Sequence, residues 1–226
     1  MLAGGLVLGV GAAFTLAAWT DNEWVFGQGA NGGGPGTLNY NMEQNTFSNT
    51  NGTGPSSWGN KSNIPTVPDP DVDGALTFGA LSAALKPGDT TYAPMQLRAA
   101  AGSEALVATL AEGVKLGGQE VDTAANSLSL YNVLTYQAVQ KIEPAQCAAG
   151  NLNGGEIVVP AGTALNLNSQ VPILLPKGDD ASTAGAPVNL CFALTLPSTV
   201  TDINLQGKKT IPLWKFTSSV GVTPQP

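Results

Sequence analysis

The chain has 226 residues with 28 glycines and 16 prolines, and only 11% of it is charged. Few charges and many turn-formers suit a β-rich extracellular protein better than a helical cytosolic one. The net charge is −7 and nine Lys/Arg are spread thinly, which argues against nucleic acid as a partner because phosphate binding needs clustered cations. Histidine is absent altogether, and that removes Ser-His-Asp and Cys-His nucleophile pairs together with the HExxH zinc motif.

The chain opens on an uncharged apolar run, Leu2 to Trp19, followed by the polar step Thr20-Asp21-Asn22-Glu23 and then Trp24-Val25-Phe26-Gly27. The run is short for a membrane span and about right for the core of a secretory signal helix. Thr15 and Ala17 meet the small-x-small rule, which places cleavage between Ala17 and Ala18. The first basic residue is Lys61, so the leader is read as truncated at its start. No second long apolar run follows, and the exported chain is expected to span no membrane.

Gly9 to Asp21 resembles the leader of the SipW-dependent-type signal peptide proteins, the TasA/camelysin family of bacterial surface and biofilm-matrix proteins. Leu85 to Arg98, Leu130 to Tyr136 and Val188-Asn189-Leu190-Cys191-Phe192 are similar to patches of its actinobacterial branch. The resemblance implies a secreted jelly roll whose subunits join into fibres through donated N-terminal strands. Some relatives carry a metallopeptidase label, but no imidazole ligand exists here to support one.

Residues 27–63 are rich in Gly, Asn, Ser and Thr and bury little apolar area, so they read as a loop-rich arm with one strand at Thr37–Met42. Pro65, Pro68 and Pro70 enforce extended backbone. Asp69, Asp71, Asp73 and Gly74 match the first half of a calcium loop, yet Ala80 occupies the twelfth position where a glutamate belongs. An exposed acidic loop is the preferred reading, and no metal or cofactor is assigned.

Pro87-Gly88-Asp89 reads as a turn feeding a strand from Thr90. The stretch Ala105 to Glu112 suits either a helix or a buried strand, and the family resemblance favours the strand. Asn126–Ile142 alternates and reads as extended, with further strands at Glu156–Val159, Thr163–Asn168 and Val171–Leu175. Val188, Leu190, Phe192, Leu194 and Leu196 form one apolar face at period two, which turns Cys191 to the other face. A last strand, Thr210–Ser218, sets Trp214 and Phe216 on one side.

Many short strands without βαβ alternation predict an all-β antiparallel sandwich. The expected division is 1–17 signal peptide, 18–63 apolar segment and arm, and 64–226 sandwich. In an exported protein Cys147 and Cys191 are read as one disulfide, the alternative being two buried thiols. The chain-entropy model gives such a bridge roughly 4 kcal/mol. No catalytic residue is assigned. Asp179-Asp180 lies in a Gly/Ser-rich stretch and reads as a solvated loop rather than as an acid pair for glycoside cleavage.

These observations predict a secreted structural protein. Trp19, Trp24, Val25 and Phe26 form an apolar terminal segment that either donates itself to a neighbouring subunit or folds back as the first strand of its own domain. The rival expectation is a monomeric surface module that binds carbohydrate or another ligand through residues 27–63 and 177–187. A third is retention of residues 2–19 as an uncleaved anchor.

Overall fold

The computed structural model describes residues 39–47, 51–61 and 74–220. The chain divides into Met1–Thr37 and Leu38–Pro226, and all described residues belong to the second unit. Its described residues form nine strands: β1 (Met42–Asn45), β2 (Trp58–Gly59), β3 (Thr90–Ala99), β4 (Leu106–Lys115), β5 (Thr135–Gln140), β6 (Glu156–Ala164), β7 (Ile173–Leu175), β8 (Val188–Thr195) and β9 (Pro212–Val220). Among the described residues two short α-helices interrupt them, α1 (Leu128–Val133) and α2 (Pro144–Ala148). The strands make a six-stranded sheet ordered β2-β1-β3-β8-β5-β6 and a three-stranded sheet ordered β7-β4-β9. Every strand pairing is antiparallel.

The predicted turn before β3 forms as its residues require. Pro87 supplies a fixed φ, Gly88 takes φ 97°, and Asp89 N–H closes the turn on Lys86 O at 2.9 Å. The Asp89 carboxylate adds a second closure by accepting from Lys86 N at 2.8 Å. From there β3 runs antiparallel to β8, from Thr90 opposite Thr195 to Leu97 opposite Val188.

The apolar row of β8 packs inward as its period predicts. Leu190, Phe192 and Leu194 join Met95 and Leu97 of β3, Tyr136 of β5, Leu106 and Leu110 of β4 and Ile173 of β7 in one buried core. Because both sheets feed this cluster, the molecule is a β-sandwich in which burial of apolar side chains between the layers is the main stabilising term. The ambiguous stretch around Ala105–Glu112 is strand β4, buried at alternate residues Leu106, Ala108 and Leu110.

On the opposite face of β8, Cys191 bonds to Cys147 across a Cα separation of 5.4 Å. Pro144 at the first helical position and the reciprocal Glu143/Gln146 capping box start α2 there. The helix thereby carries Cys147 onto the sheet, where Val139, Ile142 and both sulfurs form a second small buried cluster. The bridge staples the outer side of the large sheet, behind the main core.

Four expectations about elements change. Leu128–Val133 is helical, not extended: the Ser127 hydroxyl caps it by accepting from Leu130 N at 3.3 Å. Leu128, Tyr131 and Leu134, spaced three apart, then reach the core. The separate strands expected at Glu156–Val159 and Thr163–Asn168 are replaced by one strand, β6, which ends at Ala164. It runs through Pro160 with two register shifts against β5, which an edge strand tolerates because a missing N–H there costs no ladder bond. Of the strand expected at Thr37–Met42, the described residues 39–41 are irregular and β1 begins only at Met42; just before it, Asn41 O and Asn39 O accept from Ala100 N and Glu104 N. Finally, part of the expected arm belongs to the sandwich itself, since β1 pairs with β3 and β2 with β1.

Candidate functional site: an apolar groove at an open seam

The two sides of β4 are treated differently. On the β7 side, Ser169 N–H donates to Leu110 O at 2.9 Å. The Ser169 hydroxyl reaches Val158 O on β6, so the stretch after β6 bridges the two sheets. Contact there is so close that a Cβ on Gly113 would lie 1.9 Å from Leu165 O. On the other side, β9 pairs with β4 alone among the described residues.

Beside that unpaired edge runs a groove of about 1580 Å³. Its floor is apolar: Phe192, Leu194 and Leu196 of β8 and its extension, Met95 of β3, and Trp214 and Phe216 of β9. Its walls come from residues 74–87 and from 200–211 after β8, with Gln44 of β1 at the far rim. The aromatic side chains are packed together, Phe192 lying 5.0 Å from Trp214 and 6.3 Å from Phe216 by ring centroids. Phe78 meets Trp214 from the wall at 6.1 Å.

Polar features of the groove are few and specific. The buried indole Nε1 of Trp214 and the buried hydroxyl of Thr210 find no hydrogen-bond partner. An orphaned buried donor costs about 1–3 kcal/mol, which an incoming acceptor would recover. Lys61, Lys208, Lys209 and Lys215 line the rim, against Glu112 and Asp202. Lys215 pairs loosely with Glu112 at 3.8 Å, and Lys208 Nζ donates to Ser129 Oγ at 2.9 Å. A chain of net charge −7 therefore concentrates four of its nine cations around one opening.

A second, smaller cleft of about 570 Å³ lies at the start of β6 and β8. Its charged groups already satisfy one another: Lys141 pairs with Glu156, and Asn189 Nδ2 donates to Glu143 Oε1 at 3.0 Å. A ladder of amides extends from it across the large sheet, from Asn189 to Gln96 to Asn45, each step at 2.7 Å. Such closed networks fix strand register and leave little unmet capacity for a ligand.

The residues singled out by sequence fall into three groups. Cys147 and Cys191 are joined, as above. Ala17, Ala18, Trp19, Trp24, Val25 and Phe26, and the carboxylates Asp69, Asp71 and Asp73, lie outside the described residues. Asp179 and Asp180 sit in the exposed turn expected of them. The Ser182 hydroxyl at 2.7 Å and its backbone N–H at 2.8 Å hold the Asp180 carboxyl below its ordinary range. Among the described residues no group of three or more His, Cys, Asp or Glu side chains is placed to hold a metal ion.

Sequence reasoning did not identify the groove. Its one linear trace is the run Lys208-Lys209 and Lys215 beside Trp214 and Phe216, an unusual density of cations in a chain this poor in them.

Fold and site together define a class, an antiparallel β-sandwich closed by its own backbone on one side and open to an apolar groove on the other. No family model, no curated protein and no solved structure matches the chain.

Proposed function

We propose that this chain is an exported structural protein of a bacterial surface or biofilm matrix, assembled by donation of the segment Trp19–Phe26 from one copy into the groove beside β9 of the next. The observation that carries this reading is the coincidence of an unpaired strand edge with an apolar groove alongside it. An edge strand offers a row of backbone donors and acceptors, and a neighbouring groove offers burial for alternate side chains of an added strand. Lengths agree: eight residues of extended chain span roughly 26 Å and the nine of β9 roughly 30 Å. Charges agree as well, since the segment carries Asp21 and Glu23 and the rim carries lysines. The jelly-roll topology implied by the family resemblance belongs to this reading, as does a role without catalysis.

In the donated strand Trp24 and Phe26 share one face and enter the groove. Burial of each contributes about 1.5–3 kcal/mol, so losing both removes on the order of two to four decades of affinity. The test is negative-stain electron microscopy of Ala18–Pro226 beside the same chain with Trp24→Ala and Phe26→Ala. The expected result is filaments from the first and none from the second, with equal melting temperatures. Compact monomers from both would overturn the proposal and favour a monomeric ligand-binding module.

A further inference from the structure

We infer that the groove beside β9 also binds a free single-chain amphiphile with an anionic head, a medium- or long-chain carboxylate. This stands on the groove's own chemistry and needs no donated strand. Polar and apolar groups are sorted along its length. Lys208, Lys209 and Thr210 line the end that precedes β9, and Trp214 and Phe216 follow on β9 itself, against Phe192 of β8. No Lys or Arg follows Lys215 in the chain. A cationic mouth thus leads onto an aromatic and aliphatic floor. The stretch Pro212–Phe216 beside that floor is roughly 14 Å long as extended strand.

The head group follows from what the mouth lacks. Among the described residues, the buried Thr210 hydroxyl and the buried Trp214 Nε1 have no hydrogen-bond partner. Lys208 Nζ donates one of its three protons to Ser129 Oγ at 2.9 Å, and Lys209 is exposed. All of these groups can donate, and a carboxylate only accepts. On the lining, Lys61, Lys208, Lys209 and Lys215 stand against Glu112 and Asp202, so a cationic head is repelled where an anionic one is drawn in. The tail follows from the floor. Met95, Leu194 and Leu196 beside the aromatic rings call for no polar partner, and affinity comes from taking methylenes out of water. At about 1580 Å³ the groove exceeds the roughly 300–1,000 Å³ of usual small-ligand pockets, which leaves room for a whole alkyl chain.

The test is calorimetric titration of the full chain carrying Trp24→Ala and Phe26→Ala, which disables the competing segment, with dodecanoate below its micelle-forming concentration. One saturable site is expected, about tenfold tighter than for decanoate, which is two methylenes shorter. Dodecyltrimethylammonium, with the same tail and the opposite charge, should bind more weakly. Lys208→Glu with Lys209→Glu should weaken dodecanoate roughly tenfold, in keeping with two exposed charge contacts reversed, and should turn the preference toward the cationic amphiphile. Lys209→Glu alone should give the same sign at smaller size, so a folding loss in the double variant cannot hide the effect. Failure of dodecanoate to saturate at one site, or equal affinity for decanoate, overturns the floor as its seat. Equal affinity for the two head-group charges, or an unchanged preference in the charge-reversed chain, overturns the anionic specificity.

In the unsubstituted chain, saturating dodecanoate should suppress filaments, because one groove cannot hold both occupants. Filaments that persist beside a saturated site would put the donated strand elsewhere. That result overturns assembly through this groove and leaves the ligand site standing.

Discussion

The two sides of β4 present opposite solutions to the same physical problem. A strand edge left in water is a template for any other chain. On the β7 side the molecule removes that template with its own backbone, through Ser169 N–H on Leu110 O and the approach of Leu165 O to Gly113. On the β9 side nine residues of edge have no strand partner among the described residues, beside a buried indole N–H without a partner and a rim of lysines. The closed side needs a side chain to be absent at Gly113; the open side, on the proposed reading, receives side chains from another copy. Stability is thus built on one side of β4, and on the proposed reading association is built on the other.

That contrast breaks most easily at the shared aromatic cluster. Phe192 is 1% exposed and sits between Tyr136, Trp214 and Phe216, so Phe192→Ala should cost the free subunit about 3–5 kcal/mol. Trp214 belongs to the same cluster but lies half-buried on the groove, and Trp214→Ala should cost the subunit clearly less while abolishing assembly. Equal melting losses in the two variants would show that the groove is not open in the free subunit. On the closed side, Gly113→Ala should lower stability by about 1–3 kcal/mol, the range of overpacking. It should leave the critical concentration for assembly of the folded fraction unchanged.

How much of this is legible in the chain depends on the range of the interaction. The inward row of β8, the turn at Pro87-Gly88 and the opposite orientation of Cys191 are properties of a few consecutive residues, and each is borne out. Leu128–Val133 misleads because Leu128 and Leu130 also fit a strand period. The deciding groups are the Ser127 cap and the spacing of Tyr131 and Leu134. Pro160 reads as a strand terminator, and only the position of β6 at the sheet's rim makes it harmless. The groove is the least legible feature. It exists because residues from β1, β3, β8 and β9 meet around a space that no local pattern announces.

Two tyrosines give the finest test of where polar groups are satisfied. Tyr136 donates its hydroxyl to Leu167 O at 2.6 Å, on the closed side, whereas the buried Tyr131 hydroxyl has no partner. Burial pushes both up to about 12; for Tyr136, proximity to Tyr131 adds to the effect. A tyrosine whose folded value lies above its unfolded one keeps its proton more tightly when folded. Stability should therefore hold up to about pH 10 and fall from there through pH 12 as the unfolded chain ionises first. Tyr136→Phe removes a made hydrogen bond and should cost about 1 kcal/mol at neutral pH. Tyr131→Phe removes an orphan and should be neutral or slightly stabilising at neutral pH, and each substitution should shallow the alkaline decline. Melting curves at pH 7 and at pH 11 check both signs. A loss from Tyr131→Phe as large as that from Tyr136→Phe would mean that its hydroxyl is partnered after all, and that the core beneath α1 is as fully satisfied as the seam beside β6.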